Sequence, residues 1–312
     1  MEQIGQDQPY LTLVNGNKMP QVGLGTFLST PEELIPVVKS AIVDHGYRHI
    51  DTASIYGNEE SVGNAVQEAI AAGVKREDLF ITTKLWQADR EDIEGAVRTS
   101  LKKLQIDYLD LYLLHWMAPK MEWDDEVPIK NTPTHKVWAE LERLVDEGLI
   151  KNIGVSNCTI PMLLDLWSYA RHKPVTNQVE LHPYLVQKDF VEFHKKLGIT
   201  LTAYAPLGSN AWSLRDDHLK GLNLMTEQVI VDLAAKYEKT AAQIILNWHL
   251  SRGHIIIPKT LTLSRLGENF NIYQVKMTQE EYDSITALDK KARFFNPVAF
   301  YEYGWRHCPY FE

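Results

Sequence analysis

An acid and a phenol stand five residues apart in the stretch His49-Ile50-Asp51-Thr52-Ala53-Ser54-Ile55-Tyr56-Gly57-Asn58-Glu59. A free tyrosine has a pKa near ~10 and holds its proton at neutral pH. A lysine ammonium held by the Asp51 carboxylate and brought against the Tyr56 phenol would favour the phenolate. It would thereby lower the phenol's pKa toward the range useful for general acid catalysis. The stretch therefore calls for a lysine from elsewhere in the chain, delivered by elements that converge on one point.

The elements repeat. From Val22 onward a short β-branched run, a polar turn and an amphipathic helix recur as a unit. The pattern predicts strands over 22–25, 49–52, 79–85, 108–115, 151–156, 176–181, 200–205 and 255–258. Helices are predicted over 31–45, 59–72, 90–104, 134–147, 160–171, 188–197, 225–237 and 241–251, with 263–270 and 278–288 after the last strand. Ser29-Thr30-Pro31, Thr132-Pro133-Thr134 and Thr159-Ile160-Pro161 mark three helix starts. Ahead of the repeat, Leu11 to Val14, Asn15-Gly16 and Lys18 to Pro20 predict a β-hairpin with a type I′ turn. Eight units without a linker or composition break point to an α/β chain forming a single (β/α)8 TIM barrel over 1–312. Its additions are the N-terminal β-hairpin and a C-terminal loop over the barrel mouth. A doubly wound sheet is the alternative, but Gly23 and Gly25 are followed by Leu28 where a dinucleotide fingerprint needs its third glycine.

A hydrophobic content of 45% and a charged content of 23% supply a large core and exclude a disordered chain. The net charge of -9 argues against nucleic acid or an anionic membrane as the main partner, since either needs a basic face. Cys158 and Cys308 have no metal-type spacing, which fits a reducing compartment. Met1 to Tyr10 does not read as a signal peptide, and no apolar run approaches the ~20 residues of a membrane span. The expectation is a cytoplasmic protein acting on a small molecule. A metal-dependent barrel hydrolase would need more ligands than His115 and Asp51 provide, so no metal is expected.

In such a barrel the chemistry lies at the C-terminal ends of the strands. There the sequence places Asp51 with Tyr56, then Lys84, His115, Ser156 with Asn157, Gln178, Tyr204 and Lys259 on successive strands. Asp51 and Lys84 alone could be a buried structural ion pair, and His115 alone a hydrogen-bonded core histidine. Acid, phenol, amine and imidazole at one end of successive strands favour the chemical reading.

Gly23-Leu24-Gly25-Thr26, His49 to Gly57, Asp110 to Trp116, Ile153 to Asn157, Gln178-Val179-Glu180, Ala203 to Ser209 and Ile257 to Asn269 carry a resemblance over nearly the whole chain. The sequence resembles the aldo-keto reductases, most closely their aldose and xylose reductase branch. The resemblance implies a (β/α)8 barrel that holds NADP(H) extended and without a Rossmann fold. It implies Tyr56 as proton donor to a carbonyl oxygen, Lys84 held by Asp51 as the group that lowers its pKa, and His115 as the group that orients the carbonyl. Members that reduce steroid double bonds carry Glu in place of this histidine, so His115 implies carbonyl chemistry. Ser156, Asn157 and Gln178 would hold the nicotinamide carboxamide and Tyr204 would stack on the ring. Gly25 and Thr26 also fall in the implied cofactor site, and Pro206, Leu207 and Ser209 in the loop that straps the pyrophosphate. Lys259, Thr260 and Arg265 would hold the adenosine 2′-phosphate, with Glu268 and Asn269 at the adenine; Leu261 and Thr262 also fall in the implied cofactor site. Two cations and hydroxyls near a helix start suit a phosphate on physical grounds as well. NADP(H) is therefore expected in preference to NAD(H).

Phe27, Trp86 and Trp116 would wall the pocket for a small carbonyl substrate. The aromatic tail from Arg293 to Glu312 would fold over the mouth and set substrate choice. It departs from the xylose reductase pattern, in which Asn directly follows an Arg-Phe pair; here Arg293-Phe294 is followed by Phe295 and only then by Asn296-Pro297. Cys158, next to Asn157, is read as a buried thiol. A monomer or homodimer is expected. An NADP(H)-binding barrel with a regulatory or structural role and little turnover is the alternative.

Overall fold

Short aliphatic runs and the helices between them build a closed barrel in the computed structural model, which describes residues 8–118, 132–209, 217–297 and 310–311. Its strands are β1 (Tyr10–Thr12), β2 (Lys18–Pro20), β3 (Gly23–Gly25), β4 (His49–Asp51), β5 (Phe80–Leu85), β6 (Leu111–Leu114), β7 (Ile153–Ser156), β8 (Thr176–Glu180), β9 (Thr200–Tyr204) and β10 (Ile255–Ile256). The described helices are α1 (Pro31–Val43), α2 (Glu59–Ala71), α3 (Ile93–Leu104), α4 (Thr134–Asp146), α5 (Ile160–Tyr169), α6 (Lys188–Leu197), α7 (Gln228–Tyr237), α8 (Ala241–Ser251), α9 (Leu263–Phe270) and α10 (Gln279–Thr286).

Strands β3 to β10 pair in parallel and in chain order. The bridges Val22 to Ile256 and Gly25 to Lys259 bring the last strand back to the first, which confirms the (β/α)8 architecture. Closure is tight at Gly25, where a Cβ would stand 2.8 Å from the Ile257 carbonyl oxygen, so the strand seam needs a residue without a side chain. Every residue of β5 and β8 is buried, as expected of parallel strands covered on one side by helices and on the other by the barrel interior. The β1–β2 hairpin plugs the N-terminal end of the barrel, packing Leu13 and Met19 against Phe80, Leu111, Val175 and Ile255. The opposite end is left for the site.

Several local expectations change. The hairpin reverses over Leu13 to Gly16, with the Gly16 N–H on the Leu13 carbonyl at 2.8 Å. Gly16 has φ of 88° while Asn15 stays outside the left-handed region, so the turn is not type I′. Asn15 instead donates its side-chain amide to Asn152 Oδ1 at 2.8 Å, tying the loop to the segment before β7. Helices α1 and α5 do start with proline in the first turn, but Thr30 and Thr159 make no side-chain cap bond. Full capping boxes occur at Thr240 with Gln243 and at Thr278 with Glu281. A second apolar cluster, including Tyr184, Trp248 and Phe294, lies beneath α7, α8 and α10 and receives the start of the C-terminal segment. The remaining tail aromatics Phe300, Tyr301, Tyr303 and Trp305, and Cys308, lie outside the described residues. No described helix is long and apolar enough to cross a membrane.

Candidate active site

Asp51 ends β4 and Lys84 lies on β5, the next strand of the barrel. Lys84 has no exposed surface, and its Nζ donates to Asp51 Oδ1 at 2.6 Å and to the Thr52 carbonyl at 2.7 Å. The second carboxylate oxygen, Oδ2, accepts from Gln178 Nε2 at 2.7 Å. Burial raises the Asp51 pKa and lowers that of Lys84, and the contact between the two groups opposes both shifts. A buried charge without a partner is costly, so each residue needs the other.

Tyr56 follows in a short 3-10 turn, Ser54–Tyr56, ended by Gly57 at φ 69°, which lets the chain swing into α2. Lys84 Nζ is 5.0 Å from the centre of the Tyr56 ring. The expected lowering of the phenol's pKa is not found. Burial, and secondarily Asp51, hold it well above the ordinary value, and the ammonium's short bonds go to Asp51 and Thr52. Tyr56 is thus kept as the acid form. Lys84 is close enough to stabilise the phenolate once that proton has left.

His115 follows β6 directly and is 8% exposed, with its ring edge-on to Tyr56 at 5.8 Å and to Trp86 at 5.3 Å. Burial first, then Lys84, lowers its pKa well below the usual imidazole value. It is a neutral imidazole at physiological pH, able to donate an N–H without adding charge.

Asp51, Tyr56 and His115 face a cavity of about 360 Å³ lined also by Phe27, Trp86, Trp116, Ser156, Asn157, Gln178 and Tyr204. On one side Tyr204 donates its hydroxyl to Asn157 Oδ1 at 2.9 Å, and Ser156 donates to the Gln178 carbonyl at 2.8 Å. Asn157 takes φ of 52° and Ala205 45°, so the backbone turns through the left-handed region as it leaves β7 and β9. The tail's last described residues close on Trp116: Tyr310 lies edge-on to it at 5.2 Å and its hydroxyl accepts from the Met117 N–H at 3.2 Å.

A model described as the Aldo/keto reductase family matches residues 21–290. The chain belongs to the aldo/keto reductase family. It is 40% identical to aldo-keto reductase family 1 member A1-A of Danio rerio, over 97% of this chain and 98% of that one. An uncharacterized oxidoreductase, YtbE, of Bacillus subtilis (strain 168) is 44% identical over 92% of this chain and 95% of its own. Among solved structures, a Bombyx mori aldo-keto reductase in complex with NADP superposes with a TM-score of 0.85 at 34% identity, covering 95% of this chain and 97% of that chain. The protein is accordingly an oxidoreductase.

This aldo/keto reductase brings Asp51, Tyr56, His115, Gly25, Thr26, Ser156, Asn157, Gln178, Tyr204, Pro206, Leu207, Ser209, Lys259, Phe27, Trp86 and Trp116 to one cavity, with Lys84 directly behind it. Thr26 lines the wall, but its hydroxyl donates to the Asp51 carbonyl at 3.0 Å and ties β3 to β4. Thr260, Leu261, Thr262, Arg265, Glu268 and Asn269 lie outside the cavity lining, in the loop after β10 and in α9. Lys259 and Arg265 are exposed, and Thr262 makes no side-chain cap bond at the helix start. Glu268 instead accepts from Thr240 at 2.6 Å, Asn269 is buried, and Thr260 closes its own turn by accepting the Thr262 N–H. Sequence reasoning missed Leu28, Ile55, Ile257 and Pro258 as wall residues. Aliphatic side chains carry no chemical signal, and only their positions beside Phe27, Tyr56 and Lys259 could have marked them.

Proposed function

We propose that this aldo/keto reductase reduces aldehydes, ketones or aldose sugars to alcohols with NADPH, Tyr56 giving the proton. The observation that carries this reading is the Lys84–Asp51 contact at 2.6 Å beneath a phenol whose ring centre is 5.0 Å from the ammonium, with neutral His115 across the same cavity. The Bombyx mori relative's NADP supports the choice of cofactor.

The residues present fit that cofactor. Ser156, Asn157 and Gln178 gather amide and hydroxyl groups beside the Tyr204 ring, which suits a flat carboxamide-bearing ring. From there Pro206, Leu207 and Ser209 line the cavity toward Lys259. Two exposed cations beside the start of α9, where Thr262 makes no side-chain cap bond, suit a phosphate, and they support NADPH over NADH. Thr260, Leu261 and Thr262 would shape that phosphate site, and Glu268 and Asn269 would lie near the adenine. When bound, NADPH supplies the hydride.

The chain's own residues do the rest. His115 would donate to the substrate's carbonyl oxygen and aim it at Tyr56. The Tyr56 hydroxyl would pass its proton to that oxygen as negative charge develops there. Lys84, fixed by Asp51, would stabilise the resulting phenolate. Phe27, Trp86 and Trp116 would pack against the substrate's apolar body and exclude water. The test is to follow NADPH absorbance with a panel of aromatic and aliphatic aldehydes, ketones and aldoses. Cofactor oxidation with some members is expected, and none over the whole panel would leave a binding or regulatory barrel as the better reading.

A further inference from the structure

Glu180 ends β8 two residues after Gln178 and has no exposed surface. A buried carboxylate requires donors on both oxygens. Here its Oε1 accepts the Phe294 N–H at 2.7 Å and His182 Nε2 at 2.9 Å, and its Oε2 accepts the Phe295 N–H at 2.9 Å. One side chain of the barrel thus fixes two successive backbone amides at the point where the C-terminal segment reaches the cavity. The consequences differ for the two rings. Phe294 turns inward, 5.0 Å from the His182 ring and close against Gly208 of the strap loop. Phe295 turns outward, lines the cavity and stands edge-on to Tyr204 at 5.5 Å.

We propose that Glu180 is a positioning residue for substrate choice, its carboxylate fastening the Phe294 and Phe295 amides so that the Phe295 ring stands as an aromatic wall of the carbonyl pocket. The proposal rests on the carbonyl-reductase reading above. Large aromatic substrates would use that wall, and short aliphatic ones would not reach it.

Glu180→Gln keeps the size but turns one acceptor into a donor facing a backbone N–H. Two measurements on the full chain test the proposal. Amide hydrogen exchange of the Ala292–Pro297 peptide, read by mass spectrometry, should accelerate about tenfold, the factor that goes with one lost charge-assisted hydrogen bond. The ratio of kcat/KM for a bulky aromatic aldehyde to that for a short aliphatic one should fall about tenfold, chiefly through KM. Phe295→Ala should lower the same ratio, and the double variant should fall no further, because both changes remove one wall. Unchanged exchange in an active Glu180→Gln protein, or an equal loss with both aldehydes, overturns the proposal. If the buried substitution does not fold, an unchanged ratio in Phe295→Ala does so. Wild type that reduces neither aldehyde overturns the functional reading and takes this use of Glu180 with it, while exchange still reports on the clamp alone.

Discussion

Replacing Lys84 by Met separates its two roles. Met keeps much of the length but none of the charge, and it leaves Asp51 buried with only the Gln178 amide on its side chain. Breaking a buried ion pair from one side costs about 3–5 kcal/mol of stability. The catalytic role is of similar size. At 5.0 Å from the Tyr56 ring, a unit charge in a medium of effective dielectric ~20 stabilises a phenolate by about 3 kcal/mol. That is roughly two pKa units, or about 10²-fold in rate if it is felt fully in the transition state. Thermal unfolding and NADPH oxidation with an aromatic aldehyde read the two effects apart. Lys84→Met should lose both stability and turnover. Lys84→Met with Asp51→Asn should regain most of the stability, since no unpaired charge remains, but none of the turnover. A double variant that recovers activity along with its melting temperature would show that Lys84 serves the fold alone.

Other consequences are simpler to read. Because the His115 pKa lies well below its usual value, the imidazole stays neutral down to acid pH. The profile of kcat/KM should therefore show no break near ~6.5; a break there would mean that His115 titrates normally. Gly25→Ala places a Cβ 2.8 Å from a backbone carbonyl that the barrel seam cannot move. It should cost about 1–3 kcal/mol, seen as a lower unfolding temperature, and an unchanged temperature would refute the tight seam. Lys259→Ala and Arg265→Ala should each raise KM for NADPH about tenfold with little change for NADH. Parallel losses with both cofactors would place the 2′-phosphate elsewhere.

The barrel was legible because parallel strands write themselves as aliphatic runs at regular intervals, and the chemical residues at their ends carry types that a core does not require. The aliphatic runs extend one residue past the paired ladders at Thr52, Leu181 and Ala205, and at Ala205 the backbone already turns, with φ of 45°. The pattern puts the start of α3 at residue 90, but Gln87–Asp89 forms a 3-10 turn and Asp92 caps the helix through the Gly95 N–H, so it begins at Ile93. What the sequence could not show was electrostatic balance. Lys84 near Tyr56 suggested a lowered phenol pKa, but burial outweighs it, and burial is a property of the assembled barrel. Glu180 was likewise visible as a motif letter, while its role depends on Phe294 and Phe295 arriving from more than a hundred residues away.

Tyr56→Phe tests the account most directly, since it removes one hydroxyl and leaves the ring, the ion pair and the cavity wall. Single-turnover reduction of an aromatic aldehyde should slow by roughly 10²–10⁴-fold, while NADPH binding, followed by fluorescence titration, stays as in the wild type. Turnover near the wild-type rate, or NADPH affinity lost in step with it, would contradict Tyr56 as the proton donor.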